Sequence, residues 1–513
     1  MTQVNGRPLG RAAKVAVSVL LAMIMVFSVM GTGLAAQAKS KQHIPVIYVH
    51  GLNGIKMYEN IGTKDEKEWE NLGLGSLTDI LGKVLKDPTL VTDLFGTATG
   101  VHPDTQKFIA KVAKVVKGND MNLDSNGKPK RDVGTHLYYT PSSEHNQLYD
   151  ELLDQKFIIT MQQKAGAENI YFYTYDWRLD LNEIGDGLDA YIDAIKKRTG
   201  AKKVDLIGES EGGAVLAAYL DRHGKDKEID HLTFLNAAFA GVDVTALYNG
   251  DLTSDVDDAG LFLYRLGQAF EGGKFNEVIA IAAVLTNFLL RNVSDGWNNL
   301  NAEPAKKQLY DTVLKPLIGN IPVLYEFIPY EDFDEYMAHV VETGFLKKNS
   351  GVYKKVQAYH KTMGRLTQNL KNAEQNGIDV AVLANYGFPG LPLTSKSKGM
   401  TDLLIDTKYA SAYATCADYG KTLKATKART TGAKAKYFSP DKSIDASTCA
   451  LPEDTWFVKN INHTLYNENT GAGDFVAALA VGEYCTNDLT CVKEATGYSQ
   501  FLYADRLQNL QNT

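Results

Sequence analysis

Short runs of consecutive apolar residues, each followed by a helix-like segment, constrain the fold of this 513-residue chain more than any other feature. Continuous rather than alternating apolar residues are typical of strands that are buried on both faces of a parallel sheet. The sequence therefore predicts an α/β fold, with a mostly parallel sheet flanked by helices. The predicted strands are Ile44–Val49, Asn169–Tyr175, Lys203–Ile207, His231–Leu235, Asp379–Ala384 and Thr455–Lys459.

Two long insertions interrupt this alternation of strands and helices. The first covers residues 55 to about 165, and the second covers residues 242–375. The second insertion contains the apolar stretches Phe275–Leu290 and Lys306–Leu317 and an aromatic segment from Tyr325 to Tyr336. Each apolar face can be the core of a helical subdomain. Because the whole block falls between two core strands, we interpret it as a helical cap that shapes a pocket.

The N-terminus has the pattern of a secretory signal. Three basic residues precede the apolar run Val15–Met30, and small residues follow it up to Ala38. A basic start, an apolar run that is short for a membrane span and an Ala-x-Ala site predict a signal peptide that is cleaved after Ala38. The alternative is an uncleaved N-terminal anchor. The predicted organisation is a signal peptide (1–38), a first core part (39–241), the cap (242–375) and a second core part (376–513).

The charge of the chain argues against nucleic acid as a partner. Residues 1–38 carry three basic and no acidic residues, so cleavage after Ala38 moves the formal net charge from −7 to −10. Such a balance repels nucleic acid and anionic membranes.

All four cysteines lie in the last hundred residues of the chain, at positions 416, 449, 485 and 491. No Cys-x-x-Cys pair is present, so the spacing does not favour a zinc site. In an exported protein an even number of cysteines predicts disulfides, with three possible pairings here. We expect Cys485–Cys491 as a short local loop and Cys416–Cys449 as the longer bridge.

A Gly-x-Ser-x-Gly motif lies between a predicted strand and a predicted helix. The apolar run Val204–Ile207 ends at Gly208-Glu209-Ser210-Glu211-Gly212, and a helical pattern starts at Ala214. This strand–turn–helix setting is the one that exposes a nucleophilic serine at the edge of a parallel sheet. The sequence lacks the glycine patterns of dinucleotide and phosphate loops at this place. We therefore predict that Ser210 is a nucleophile.

Two backbone N–H groups are candidates for an oxyanion hole. The first predicted strand runs into the turn His50-Gly51-Leu52, which can aim the N–H of Leu52 at a developing oxyanion. The second donor would be the N–H of Glu211, one residue after the nucleophile. Such a turn acts through its backbone, so His50 is interpreted as a structural residue.

The base and the acid are sought in the chain order serine, acid, histidine. His463 is the one histidine after His360, and it follows the last predicted strand. We predict that it is the base. Asp441 and Asp445 are both candidates for the acid, because both lie in a turn shortly before His463. Asp441 is favoured, since a turn-initiating aspartate presents its carboxylate outward.

Six stretches together resemble the lecithin:cholesterol acyltransferase-like family of the α/β-hydrolase superfamily, in a secreted bacterial form. They follow the order of the family over most of the predicted mature chain, and the tetrapeptide that begins at Tyr175 is the most specific. The stretches are PVIYVHGLNG (45–54), YDWRLD (175–180), VDLIGESEGG (204–213), YGFPGLPLT (386–394), SPDKSIDAST (439–448) and INH (461–463).

The resemblance implies an α/β-hydrolase fold in which the nucleophile falls on Ser210, the acid on Asp441 and the base on His463. The chain departs from the family around the serine, where the usual His-Ser-Met is Glu209-Ser210-Glu211. Such carboxylates can raise the pKa of the histidine or disfavour an anionic substrate.

The reaction we expect is acyl transfer from a lipid-like ester through an acyl-enzyme, with water or an alcohol as the acceptor. This chemistry requires no metal or organic cofactor. The expected partners are the ester substrate and lipid surfaces or the cell envelope, and the expected location is outside the cell. Two alternatives are a surface-binding protein that has lost activity and a serine peptidase of the same fold.

Overall fold

All six predicted strands belong to one eight-stranded sheet. The structure is a computed structural model, and it describes residues 44–69, 105–116, 121–145, 152, 156–225, 227–251, 303–391, 394–396, 398–463 and 465–513. Residues 45–513 form one compact unit. The strands of the large sheet are β1 (Val46–Val49), β2 (Ile170–Tyr173), β3 (Val204–Glu209), β4 (Ile229–Leu235), β5 (Asp379–Tyr386), β6 (Thr455–Lys459), β7 (Phe501–Ala504) and β8 (Leu510–Asn512).

The strand order across the sheet is β8-β7-β6-β5-β4-β3-β1-β2. Every neighbouring pair is parallel except the last two strands of the chain, which pair antiparallel at one edge. This arrangement confirms the predicted α/β class with a mostly parallel sheet flanked by helices. Parallel strands have their carboxyl ends at one edge of the sheet, so the segments that follow β1, β3 and β6 are neighbours in space.

The helices cover both faces of the sheet. They are α1 (Thr105–Val116), α2 (Phe157–Ala165), α3 (Leu181–Thr199), α4 (Glu211–His223), α5 (Glu303–Leu309), α6 (Lys315–Ile318), α7 (Pro322–Glu326), α8 (Phe333–Glu342), α9 (Gly351–Gly364), α10 (Leu366–Gln375), α11 (Thr407–Ala410), α12 (Lys427–Thr430), α13 (Gly471–Ala480) and α14 (Leu489–Thr496). Short strands pair at Tyr58–Glu59, Lys67–Glu68 and Val133–Gly134, at Phe388–Pro389 and Met400–Thr401, and at Thr415–Cys416 and Ile444–Asp445.

Alternate residues of each central strand enter two separate apolar clusters. Ile47 and Val49 of β1 pack with α3, α4, α9 and α10, whereas Val46 and Tyr48 pack with α2 and α13. Both faces of the sheet are therefore buried, which explains why the strand sequences are continuously apolar. Burial of both faces also fixes the strand register, because a slip by one residue would exchange the two sets of side chains.

The described part of the predicted cap, residues 242–251 and 303–375, is helical. Its aromatic segment forms a core of its own, in which Tyr325 stacks on Tyr248 with ring centroids 4.5 Å apart. These aromatic side chains therefore hold the helical subdomain together. The predicted signal peptide and the apolar stretch Phe275–Leu290 lie outside the described residues. Within the described chain, no helix combines the length and the apolarity that a membrane span requires.

One of the two predicted disulfides is formed. Cys485 and Cys491 are bonded, whereas Cys416 and Cys449 are free thiols. Each free thiol faces a backbone carbonyl close to it in the sequence, that of Ala414 for Cys416 and that of Ala446 for Cys449. The predicted Cys416–Cys449 bridge is therefore absent from the structure.

Candidate active site

Ser210 occupies a strained turn between β3 and α4. Its backbone has φ 57° and ψ −121°, a left-handed conformation that residues with a Cβ rarely adopt. Three backbone hydrogen bonds hold it there. The N–H of Ser210 donates to Leu235, and its carbonyl accepts from the N–H groups of Gly213 and Ala238. The strain is therefore supported by the neighbouring strand and by the first turn of the helix.

Gly212 allows α4 to begin directly against the end of β1. A Cβ at this position would lie 2.1 Å from the carbonyl oxygen of Val49 and 2.7 Å from that of His50. Any other residue would push the helix away from the strand. The same close approach brings Gly51 against the serine, since a Cβ on Gly51 would lie 3.4 Å from Ser210 Oγ.

Three side chains from distant parts of the chain form a hydrogen-bonded series that ends at the serine. His463 Nε2 lies 2.9 Å from Ser210 Oγ, and His463 Nδ1 lies 2.7 Å from Asp402 Oδ2. Asp402 has no exposed surface, and His463 is 6% exposed. In this geometry the imidazole can accept the proton of the hydroxyl while the carboxylate fixes its orientation.

The carboxylate of Asp402 divides its two oxygens between its own turn and His463. Oδ1 accepts hydrogen bonds from the N–H groups of Leu404 and Ile405, at 3.0 and 2.7 Å. Oδ2 is left to the imidazole. Leu403 adopts φ 86° to close this turn. The backbone thus holds the carboxylate in place, and its second oxygen faces the imidazole.

The prediction that Asp441 meets His463 is wrong in this structure. Asp441 Oδ2 binds Lys459 Nζ at 2.7 Å, and Oδ1 accepts hydrogen bonds from Ser439 and Ser443. Burial opposes ionisation, but these hydrogen bonds outweigh it and lower the pKa of Asp441 to about 2. The carboxylate turns back onto its own loop instead of outward, because the serine groups of that loop are the nearest donors.

The second candidate for the acid, Asp445, is also bound within its own loop. Its Oδ2 accepts from Arg429 Nε at 2.9 Å, and its Oδ1 accepts from the N–H and hydroxyl of Ser447. Neither predicted aspartate contacts the imidazole, and Asp402 takes that position.

A signal for Asp402 exists in the sequence, although it is local and weak. Met400 precedes this aspartate by two residues, and Leu403, Leu404 and Ile405 follow it. An acid surrounded by apolar residues is expected to be buried, and buried carboxylates require a partner. Asp441, by contrast, lies between a proline and a lysine, as expected for a surface turn.

Two buried asparagines that sequence reasoning missed support the His463 loop. Asn236 Nδ2 donates to the carbonyl of His463 at 3.1 Å, and Asn385 Nδ2 donates to the carbonyl of Asn462 at 3.3 Å. The pair is linked, because the N–H of Asn385 donates to Asn236 Oδ1. Tyr466 adds a hydrogen bond to Asn385 Oδ1 at 2.6 Å. Both asparagines directly follow a predicted strand. They therefore lie at the edge of the sheet formed by the carboxyl ends of the strands, where the ligand-binding residues of α/β folds are found.

The surroundings of His463 favour its charged form. Burial by itself would lower the pKa of the imidazole, but the charge and hydrogen bond of Asp402 raise it, and the charge of Glu209 raises it further. The net result is a pKa above the ordinary value of 6.5. An imidazolium formed by proton transfer from Ser210 would be stabilised in the same way.

The two predicted oxyanion donors lie in the two segments that meet at Ser210. Glu211 is the first residue of α4, so its N–H belongs to the first turn, where backbone donors have no acceptor within the helix. Leu52 is half-buried in the turn after β1, next to Gly51. Their positions are compatible with the predicted oxyanion hole.

His50, which follows β1, packs against the Tyr-Asp-Trp-Arg segment that follows β2. The ring of His50 stacks on Tyr175 at 4.1 Å, and burial lowers the pKa of His50 to about 4. Arg178 forms a buried two-point ion pair with Asp176, and its guanidinium lies 4.3 Å from the centroid of the Trp69 ring. Both features have a structural explanation in packing and pairing.

Among the residues that the structure describes, one group of side chains has the ligand types and spacing for a metal ion. Asp205, Asp230 and His231 bring ligand atoms within 4.8 Å of one another at the start of β3 and β4, the opposite edge from Ser210. These groups are already paired, since His231 Nδ1 lies 2.9 Å from Asp205 and Lys203 lies 2.8 Å from Asp230. The cluster is therefore explained as an ion-pair network.

Comparison with known proteins yields partial structural likenesses. No family model and no curated protein matches the chain. The crystal structure of the Tle4–Tli4 complex matches with 10% sequence identity and a TM-score of 0.25, over 67% of this chain and 75% of that one. A probable hydrolytic enzyme from Pseudomonas aeruginosa PAO1 matches with 15% identity and a TM-score of 0.16, over 42% and 80%.

TM-scores this low carry no argument about activity. The resemblance to lecithin:cholesterol acyltransferases stays a prediction from the sequence.

Proposed function

We propose that this chain is a secreted serine esterase that transfers acyl groups from lipid-like esters, with Ser210 as nucleophile, His463 as base and Asp402 as the orienting acid. The observation that carries the proposal is the continuous series of hydrogen bonds from Asp402 through His463 to Ser210. This series replaces the one predicted from sequence, in which Asp441 was the acid.

The strained backbone of Ser210 supports a functional role for this residue. A non-glycine residue at φ 57° costs about 1–3 kcal/mol and persists only where the surroundings enforce it. A purely structural serine at this turn would gain stability by replacement with glycine. The conformation instead presents Oγ to the imidazole, which argues against an inactive binding protein.

The reaction proceeds in two acyl-transfer steps. Ser210 Oγ attacks the ester carbonyl while its proton passes to His463 Nε2, and the N–H groups of Leu52 and Glu211 stabilise the resulting oxyanion. Collapse of this intermediate expels the alcohol, which takes the proton from His463 and leaves an acyl-serine. Water or a second alcohol then attacks the acyl carbon, again losing its proton to His463. Cleavage of the bond between Oγ and the acyl carbon then releases the product, and Ser210 Oγ takes the proton back from His463.

The lipid-like substrate is inferred from the apolar residues of the predicted cap. Export is inferred from the signal-like segment 1–38 and from the Cys485–Cys491 bridge, since disulfides persist in oxidising compartments. Reaction with p-nitrophenyl esters of increasing chain length, with and without an added alcohol, measures the acyl preference and the acceptor.

Covalent labelling tests the nucleophile. A fluorophosphonate probe should label the wild type and the control variant Ser439→Ala but not Ser210→Ala, with the adduct on the peptide that contains Ser210. Labelling of a folded Ser210→Ala variant at the wild-type rate would contradict the proposal.

A further inference from the structure

The two glutamates that flank Ser210 are buried in different surroundings. Glu209 is 2% exposed, and its Oε2 accepts a hydrogen bond of 2.7 Å from the hydroxyl of Tyr48. Glu211 has no exposed surface, and neither of its carboxyl oxygens has a hydrogen-bond partner in the described part of the chain. A buried carboxylate without a donor or a cation is strongly disfavoured, whereas a neutral carboxylic acid is tolerated.

The titratable groups that interact electrostatically with Glu211 do not favour a negative charge on its carboxyl group. They are Asp176 and Tyr175 from the segment after β2 and Tyr359 from α9. Asp176 is itself a carboxylate, and its two oxygens are bound to Arg178. Burial raises the pKa of Glu211 well above its ordinary value, and the charge of Asp176 raises it further.

We propose that Glu211 is held as an uncharged carboxylic acid in the active enzyme, and that loss of its proton sets the alkaline limit of the reaction. This inference rests on the proposed function, because it assigns a role to the residue whose N–H would bind the oxyanion. It identifies Glu211 as a positioning residue whose side chain keeps the oxyanion site free of negative charge.

The effect of an ionised Glu211 depends on where the negative charge of the transition state develops. The oxyanion would form at the N–H of Glu211, within the same residue as the buried carboxyl group. An ionised side chain there would repel the transition state more strongly than the ground state, because the ester carries no net charge. In a buried site this repulsion should slow acylation by about tenfold or more. The N-terminal end of α4 favours ionisation, but only by a small amount compared with complete burial.

The pH dependence of kcat/KM with a short-chain p-nitrophenyl ester tests the inference. The wild type should lose activity at alkaline pH, whereas the profile of Glu211→Gln should stay level to higher pH. Each profile is normalised to its own maximum, because its shape and not its height is the readout. Glu209→Gln is the matched control, and it should keep the alkaline decline of the wild type.

The pH dependence of stability tests the protonation state without any activity. The pKa of Glu211 is raised in the folded chain and close to 4.3 in the unfolded chain, so the folded state binds the extra proton between these values. Unfolding of the wild type should therefore become easier, by up to tenfold in the equilibrium constant per pH unit above about pH 4.5, relative to Glu211→Gln. Urea unfolding at pH 5, 7 and 9 measures this difference, with Glu211→Met as a second uncharged variant.

The outcomes separate this inference from the proposed function. If the wild type is labelled at Ser210 but both uncharged variants keep its alkaline decline and its pH dependence of unfolding, the inference is wrong and the esterase proposal stands. If the wild type is neither labelled nor active, the esterase proposal fails, and unfolding alone decides whether Glu211 is protonated.

Discussion

Asp402 and Asp441 both lie in turns between Ser210 and His463 in the chain, and in the structure only Asp402 reaches the histidine. In the turn from Thr401 to Ile405, the backbone binds one oxygen of Asp402 and leaves the other for the imidazole. In the loop from Ser439 to Ser447, both oxygens of Asp441 are bound by side chains of the loop and by Lys459.

The difference shows what an orienting acid requires. Its carboxylate must be fixed by its own backbone, buried, and kept away from cations that would compete with the imidazole. Asp402 meets these conditions with no exposed surface. Asp441 is paired with a lysine and bound by two serines, and its low pKa results from these partners and not from a role at His463.

The largest effect is expected for Asp402→Asn. The new carboxamide can still accept the backbone hydrogen bonds of the turn, but it offers an N–H to His463 Nδ1 and so favours the wrong tautomer. We expect a loss of about 10⁴-fold in turnover, as in other triads. Single-turnover acylation, with the melting temperature as a check on folding, measures it. A loss smaller than about tenfold in a folded variant would assign the acid elsewhere.

An intermediate effect is expected at acidic pH for Glu209→Gln. The base must be neutral to accept a proton, so activity falls as the pH drops through the raised pKa of His463. Because the charge of Glu209 contributes to that raised pKa, its removal should move the acidic midpoint of kcat/KM to lower pH. Glu211→Gln serves as the control, since it should leave the acidic midpoint in place. An unchanged midpoint in Glu209→Gln would mean that Asp402 alone sets it.

The smallest effect on turnover is expected for Asp441→Asn, by less than about threefold. The substitution should instead lower the free energy of unfolding. The pKa of Asp441 is depressed to about 2 in the folded chain, so its ion pair and hydrogen bonds together contribute about 1–2 kcal/mol above pH 4, and this contribution is lost as the pH falls towards 2. Urea unfolding of the wild type and of Asp441→Asn at pH 7 and pH 3 measures this contribution. If Asp441→Asn lost most of its turnover but kept wild-type stability, Asp441 and not Asp402 would be the orienting acid.

The fold and two members of the site could be predicted from the sequence because their signals are local. The central strands are continuously apolar, and Ser210 lies between a strand and a helix with glycines on both sides. His463 follows the last parallel strand. The edge strands β7 and β8 were not predicted, since they are short and β8 is mostly exposed.

The sequence gives only a weak signal for the proposed acid, because tertiary pairing defines its turn. Met400–Thr401 becomes a strand only by pairing with Phe388–Pro389. Leu403 then adopts a left-handed conformation that its residue type does not indicate. The supporting asparagines, 236 and 385, likewise acquire their role only when their strands lie side by side.

Proton NMR of the hydrogen bond between His463 Nδ1 and its carboxylate identifies the residue that orients the imidazole. A proton held between an imidazole and a buried carboxylate resonates far downfield of the amide region. If Asp402 orients His463, the signal is present in the wild type and in Asp441→Asn and is lost in Asp402→Asn. Persistence of the signal in a folded Asp402→Asn variant, together with its loss in Asp441→Asn, would show that Asp441 and not Asp402 is the acid.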